Sequence, residues 1–420
     1  MPLPEIKTVC VQWPRFGPYH LARLRAAHTY LAGHGVELVG LETAGTDATY
    51  DWRVEQGATP FRRVQVFPDR VFDTLSPAEM HAGVIRALDR INPDAVAIHS
   101  YSFPDARACL YWCRSNRRIA VMMNDSKEDD VPRSRPRERL KSLLVQQYDA
   151  ALLAGTPHRA YFEKLGVPPE AIFYGYDVVD NDYFARESSR MRTDRHALRH
   201  LPGLDDDTPY FLSVGRFVGV KNLDGLLQAY REYRRSTPEP WRLILVGDGP
   251  RRPQLERYVQ DENLDGVVFA GFRQIEDLPA YYGCAETLIL PSHKDTWGLV
   301  VNEAMAAGLP VLVSRKAGCY ADLVREGENG FTFHPGDADT LTALMRRVSS
   351  LPPSERDRMG ERSREIITAW PLDLFARSLW DAVRIGARRA DRPFNPVLRT
   401  ALRGLTAATR SITAFHTARN

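Results

Sequence analysis

At 420 residues the chain exceeds what one ordinary core holds, so two domains are expected. A hydrophobic fraction of 44% with 26% charged residues is that of a water-soluble globular protein, and a formal net charge of +3 excludes the concentrated basicity of a dedicated nucleic-acid binder. Single anionic groups such as phosphates suit so weak a positive balance better. The five cysteines, Cys10, Cys109, Cys113, Cys284 and Cys319, form no C-x-x-C pair, which argues against zinc and a disulfide framework and for a reducing compartment. The opening "MPLPEIKTVCVQWPRFG" has no apolar leader, and no run approaches the roughly 18 apolar residues of a membrane span. A cytoplasmic chain is expected.

Short β-branched runs alternate with amphipathic stretches, the pattern of parallel sheets covered by helices. In chain order the strands are predicted at 8–13, 36–42, 61–67, 95–100, 119–125 and 150–155, then at 210–216, 242–248, 267–272, 287–292 and 310–314. The polar, charged stretch 186–208 lacks apolar periodicity and is expected to be the linker between a first domain, 1–185, and a second, 209–370. From Trp370 to Arg389 the apolar spacing is that of one long helix, with Leu374, Leu379, Trp380 and Val383 as candidates for burial. The remainder, 391–420, has five Arg and no acid from Arg392 onward and reads either as a solvated tail or as a basic amphipathic helix drawn to anionic lipid. Two doubly wound α/β domains facing across a cleft follow, with ligand expected beyond the C-terminal strand ends.

Three segments carry possible chemistry. "SVGRFVGVKNLDGLL" puts Gly215 and Arg216 just past a strand and Lys221 at the start of a helix, an arrangement of amides, a forked guanidinium and a point charge that suits a diphosphate. "HKDTWGLVVNEAMAAGLPV" places Asp295 and Glu303 around a Trp-Gly turn, with the amides of Trp297, Gly298, Leu299 and Val300 available to an anion. Val301 and Met305 should face the core, and Glu303 should fall on another face near the open end, where a carboxylate suits the diol of a ribose. "VGDGPRR" has Arg252 where a dinucleotide fingerprint needs its third glycine, and no P-loop motif exists, so nicotinamide, flavin and P-loop chemistry are disfavoured. The D-x-D of Asp205 and Asp207 lies in the linker and reads as solvated.

Taken together, D-x7-E from Asp295 to Glu303, "AMAAGLPVLVS", "EGENGFTFHPGD" and "GRFVGVKNLDGLLQAY" resemble the donor half of a retaining, nucleotide-sugar-dependent glycosyltransferase of family 4, with the GT-B fold. The resemblance is dense from Tyr210 to Asp337 and looser in the first half. It implies a hexosyltransferase of polysaccharide or glycan synthesis that works without a metal or cofactor, its UDP- or GDP-linked sugar being a substrate. It also implies Arg216 and Lys221 on the diphosphate, Glu303 on the ribose, and Gly271, Phe272 and Arg273 in the loop that reads the base. Asp295 stands where the family usually has a Glu at the transferred sugar, one methylene longer. The C-terminal helix, 371–390, would cross back to the first domain.

The acceptor, a sugar or lipid-linked glycan, is then expected in the first half. Gly17 and His20 lie in the loop after the first strand, His99 ends the fourth, and Asn124 and Asp125 occupy the loop where some relatives carry a catalytic His. The basic tail would bring the chain to the inner face of a membrane. Two other readings stand beside transfer: a nucleotide-sugar sensor or scaffold without chemistry, and a glucan synthase or phosphorylase of the same fold.

Overall fold

The computed structural model describes residues 5–47, 52–53, 57–194, 198–204 and 207–408, the side chains of 403–408 excepted. The chain divides into two compact units: the residues to Val178 together with those from Leu372, and Val179–Pro371. In the first unit β1 (Thr8–Trp13), α1 (Pro18–Ala32), β2 (Glu37–Thr46), β3 (Arg62–Val71), α2 (Pro77–Ile91), β4 (Ala95–His99) and α3 (Pro104–Ser115) come first. They are followed by β5 (Ile119–Asn124), α4 (Arg135–Val145), β6 (Ala150–Leu153), α5 (Thr156–Lys164) and β7 (Ile172–Tyr174). All seven strands run parallel in the order β3-β2-β1-β4-β5-β6-β7. Val9 stands opposite Leu38 on one side and Ala95 on the other, so the apolar runs of the centre are buried on both faces.

The second unit opens with α6 (Asn181–Thr193) and continues with β8 (Tyr210–Val214), α7 (Leu223–Arg235), β9 (Arg242–Val246), α8 (Arg252–Asp261), β10 (Val267–Gly271) and α9 (Leu278–Cys284). Then come β11 (Thr287–Leu290), α10 (Leu299–Ala306), β12 (Val311–Ser314), α11 (Tyr320–Leu323), β13 (Gly330–Phe333), α12 (Ala338–Ser349) and α13 (Pro353–Ile367). Its parallel order is β10-β9-β8-β11-β12-β13. On α7 the buried residues Leu223, Leu226, Leu227, Tyr230 and Tyr233 follow helical spacing and pack into one core with Phe211, Leu243 and Ile289. In each sheet the strand order reverses once, between β1 and β4 and between β8 and β11, which is where such sheets open a crevice at their C-terminal edge.

Several expectations need correction. The stretch read as a linker begins inside α6, whose start is capped by Asp180 accepting from the Tyr183 amide at 2.9 Å and whose Phe184 is buried against Tyr282. Residues 195–197 and 205–206, Asp205 among them, lie outside the described residues. Strands β7 and β13 were not foreseen because three and four residues carry too little periodicity to register. The C-terminal helix α14 (Leu372–Ala387) belongs to the first unit and packs on α1, β5, β6 and β7, burying Phe375, Leu379 and Val383, while Leu374 and Trp380 are half-buried. The tail is not solvated throughout: Asn395 accepts from the amides of Val397 and Leu398 and starts α15 (Pro396–Ala408), whose Leu398 and Leu402 are buried. Leu402 joins the core beside α2 and α3, so this part of the helix packs on the first unit, while Val397 at its start is exposed. Residues 409–420 lie outside the described residues. The five cysteines are buried thiols.

The first turn of α1 is closed by a histidine. His20 Nδ1 accepts from the Gly17 amide at 3.0 Å, which fixes its proton on Nε2, and its ring packs on Trp13 at 4.7 Å. Burial, then the charges of Arg23, His99 and Arg15, hold its pKa down at about 3. Because the folded pKa is below the unfolded one, the stabilising contribution is fully present above about pH 6.5 and is lost as pH falls from there toward 3. His20→Gln, which can still accept from Gly17, should flatten that acid limb: urea unfolding at pH 7 and pH 4.5 should show a smaller difference than in the wild type. An unchanged difference would contradict this account. Leu402→Ala should cost about 2–3 kcal/mol, read in the same unfolding experiment at pH 7; a loss below about 0.5 kcal/mol, the usual bound for a surface change, would mean α15 is not part of the core.

Candidate functional site

In the second unit the C-terminal ends of β8 and β11 present their loops side by side. Lys221, in a short helical turn after β8, places Nζ 2.6 Å from Asp295 Oδ2 in the loop after β11. The side chains are 25% and 11% exposed, so the pair is half-screened from water. Ser292 Oγ lies 3.4 Å from the same carboxylate oxygen. Gly215, Arg216, Lys221, Leu290 and Ser292 line a pocket that keeps about 10 Å³, roughly the space of a single water. Arg216, Lys221 and Asp295 are therefore brought together, with the lysine in contact with the carboxylate rather than presented as a lone point charge.

The backbone under this pair is tied from several sides. Asn222, buried and in the left-handed region at φ 53°, donates from Nδ2 to the carbonyls of Pro291 at 3.0 Å and Pro335 at 2.8 Å, binding the start of α7 to the end of β11. The amides of His293 and Asp295 donate to Val220 and Lys316 carbonyls, and Gly318 and Cys319 donate to Asp295 and Trp297. Gly298 caps α10 at φ 106°, where a Cβ would come within 2.7 Å of Leu290 Cδ2. Helix geometry leaves the first-turn amides of Leu299 and Val300 without intrahelical acceptors, as it does that of Gly298 before them. Trp297 itself is buried, donating from Nε1 to Asn302 Oδ1 at 2.9 Å and packing on Trp370 at 5.1 Å.

Glu303 stands elsewhere. It was expected near the open end of its helix, but it is fully buried, with Oε2 accepting from Tyr282 Oη at 2.6 Å. The physical reason is α6, which packs on both α9 and α10 and covers the face that the sequence left open. Gly271 ends β10 and Phe272 and Arg273 follow it, beyond β9 from the ion pair; the Gly271 carbonyl accepts from the Gly247 amide at 2.9 Å, and Arg273 Nη2 donates to the Ala270 carbonyl at 2.7 Å. The glycines of "VGDG" have a structural role here: a Cβ on Gly247 would lie 1.9 Å from the Gly215 carbonyl oxygen, so the loops after β8 and β9 touch backbone to backbone.

In the first unit the residues singled out gather at the C-terminal ends of β1, β4 and β5. His99 lies close enough to His20 to oppose a charge on the His20 ring. His99 is not free to face a ligand with both nitrogens: Nε2 is 3.2 Å from Asp105 Oδ1. Burial works against ionisation of Asp105, yet the His99 ring and the bonds from His99, Thr43 and the Ala106 amide outweigh it and hold the carboxyl below its ordinary range. Gln12 Nε2 completes that buried network at 2.9 Å. Asn124 closes its own turn, accepting from the Ser126 amide at 2.7 Å, while Asp125 is half-buried beside it. Lys127 is buried and neutralised by Asp129 and Asp130, each at 2.9 Å. Sequence reasoning missed Asn222, Asp105 and Tyr282. The first two had a signal, an Asn just before an apolar helix and an Asp in the first turn of one; Tyr282 had none.

Residues 194–366 match the model of the family glycosyl transferases group 1. Sulfoquinovosyl transferase SQD2 of Arabidopsis thaliana is 32% identical over 190 residues, 44% of this chain and 34% of that one. N-acetyl-alpha-D-glucosaminyl L-malate synthase of Bacillus anthracis is 24% identical over 329 residues, 73% of this chain and 82% of that one. The matched stretch spans about a third to a half of the length of the first curated relatives. Among solved structures, Anabaena Alr3699/HepE in complex with UDP and glucose superposes with a TM-score of 0.67 at 16% identity, covering 90% of this chain and 98% of that one. That likeness shows the fold: the two sheets with their helices are the Rossmann-like domains of a GT-B protein. The match to the glycosyl transferases group 1 model thus lies over the unit that carries Arg216, Lys221 and Asp295, and it is that stretch which is similar to the family.

Proposed function

We propose that the protein transfers a sugar from a nucleoside diphosphate sugar, UDP- or GDP-linked, to an acceptor hydroxyl with retention of the anomeric configuration. The observation that carries this reading is the Lys221–Asp295 pair beside Arg216, at the point where the second sheet's strand order reverses. Solved relatives of the same fold bound to UDP and to UDP-glucose support the substrate class.

In this reading the diphosphate lies against Arg216, Lys221 and the first-turn amides of α10. As the bond between C1 and the phosphate oxygen breaks, the charge that develops on the diphosphate is met by these preorganised donors. The acceptor oxygen bonds to C1 on the same face, and its proton passes to the departing phosphate oxygen. Asp295 orients the sugar's hydroxyls and does not attack. Backbone groups at Gly271–Arg273 are assigned to the base. Glu303, being enclosed, positions α10 through Tyr282 instead of holding a ribose.

For the acceptor, a sugar or lipid-linked glycan, His20 contributes a neutral ring whose Nε2–H donates. With a pKa near 3 it is a poor base at neutral pH. Proton removal by the departing phosphate is consistent with that.

Two substitutions separate the roles. Lys221→Ala should lower turnover with the true donor about 10²- to 10³-fold and weaken binding of the free nucleoside diphosphate. Asp295→Asn should leave nucleoside diphosphate binding no weaker than in the wild type, because the carboxylate is assigned to the sugar and its charge opposes the phosphates, while transfer falls at least about tenfold. The assay is release of nucleotide from a panel of UDP-, GDP- and ADP-sugars with and without acceptor. Binding of a donor with no release under any condition would favour the sensor reading, and turnover within a few-fold of wild type in Lys221→Ala would contradict the assignment.

A further inference from the structure

At the opposite edge of the first sheet, where the strands begin, two arginines meet on one buried carboxylate and a third lies beside them. Asp149, which precedes β6 and is fully buried, takes Arg114 Nη2 and the Ala120 amide on Oδ2, the latter at 2.9 Å, and Arg392 Nη2 on Oδ1 at 3.1 Å. Both of its oxygens are thus in use. Arg389, in the turn that follows α14, has among the described residues only the exposed Glu170 within ion-pair range, at 3.7 Å and without a hydrogen bond. The nearby Arg118 is already paired with Asp94 at 2.9 Å. Three guanidinium charges therefore share one buried carboxylate and one carboxylate in water.

The surplus faces a cavity of about 380 Å³ lined by Arg114, Gln146, Gln147, Pro168, Arg389 and Arg392. Arg114 has a side chain only 2% exposed, and its Nε is buried with no hydrogen-bond partner among the described residues; Arg389 Nε is in the same state. Carbonyls of Arg118, Tyr148 and Arg389 accept from these guanidiniums, but a carbonyl supplies a partial charge where a whole one is needed. Burial, then the charge of Arg392, lowers the pKa of Arg389, the mark of a cation short of compensation.

We propose that this cavity binds a phosphate oxyanion, held by the forked donors of Arg114, Arg389 and Arg392. Planar guanidiniums converging from three directions suit a tetrahedral oxyanion, which can accept several such bonds at once. The cavity lies at the N-terminal edge of the sheet, whereas His99 and Asn124 end strands at the other edge, so it is separate from the candidate acceptor region. Because Arg389, Arg392 and Pro393 sit between α14 and α15, a bound phosphate would join that connection to the ends of α3 and α4. The phosphate could be carried by a soluble metabolite or by a lipid headgroup, and the two sources are told apart below.

Inorganic phosphate is titrated by calorimetry into the full chain at constant ionic strength, for the wild type, Arg389→Gln and Arg389→Gln/Arg392→Gln. In parallel, the same proteins are sedimented with vesicles of phosphatidylcholine alone and of phosphatidylcholine with phosphatidylglycerol. Circular dichroism is used to check that the folds agree. Phosphate binding weakened about tenfold or more by Arg389→Gln supports the site with a soluble ligand. Pelleting that requires phosphatidylglycerol and is lost in Arg389→Gln supports it with a lipid headgroup. Phosphate binding and pelleting that are the same in all three proteins, whether present or absent, overturn the proposal, since any phosphate bound would then lie elsewhere.

Discussion

The candidate donor site rests on one ion pair. Lys221 and Asp295 come from loops that are 74 residues apart in sequence and adjacent in space, because β8 and β11 are neighbours whose connections run to opposite sides. A carboxylate and a diphosphate in the same pocket would repel, and at close range in a partly dry site that repulsion is several times larger than in water. With Nζ 2.6 Å from Asp295, Lys221 offsets one negative charge before any ligand arrives, so that a second can be accepted beside it. In the proposed reaction the lysine thereby lets a sugar-orienting acid and a charged leaving group occupy the same few ångströms.

Such a pair is useful only if the loops that carry it do not drift apart. Hydrogen bonds from the Asn222 side chain to Pro291 and Pro335, and the backbone bonds that join Val220, Lys316 and Gly318 to residues 293–295, leave little freedom at either end. The Gly215–Gly247 approach adds the neighbouring strand to the same frame. What remains movable is the lysine side chain, four carbons long and a quarter exposed, and this is the part a ligand must share.

Much of this was legible in the sequence, for identifiable reasons. Parallel strands buried on both faces announce themselves as apolar runs, and the loops after them hold the Gly, Arg, Lys and Asp residues that an anion site needs. Less legible were features whose cause is tertiary. Glu303 looked exposed because helical spacing says which face a residue is on and not what covers that face; here α6 does, and α6 was hidden in a stretch dominated by charge. The tail misled in the same way, since five arginines obscured the Asn-Pro cap and two leucines that seat α15. His99 could be read as ligand-facing or satisfied, and only the fold brings Asp105, Thr43 and Gln12 to it. Lys221 and Asp295 were each picked out, but their contact was not, because nothing local specifies a partner across 74 residues.

The central claim, that Lys221 compensates a diphosphate held next to Asp295, is tested most directly by comparing how a nucleoside diphosphate and its monophosphate bind. Calorimetric titration of both into the wild type and Lys221→Met isolates the contribution of the second phosphate. The diphosphate should bind at least about tenfold more tightly than the monophosphate to the wild type, as a charge-assisted bond to a buried group warrants, and that ratio should collapse toward one in Lys221→Met. Equal affinities in the wild type, or a ratio untouched by the substitution, would contradict the account.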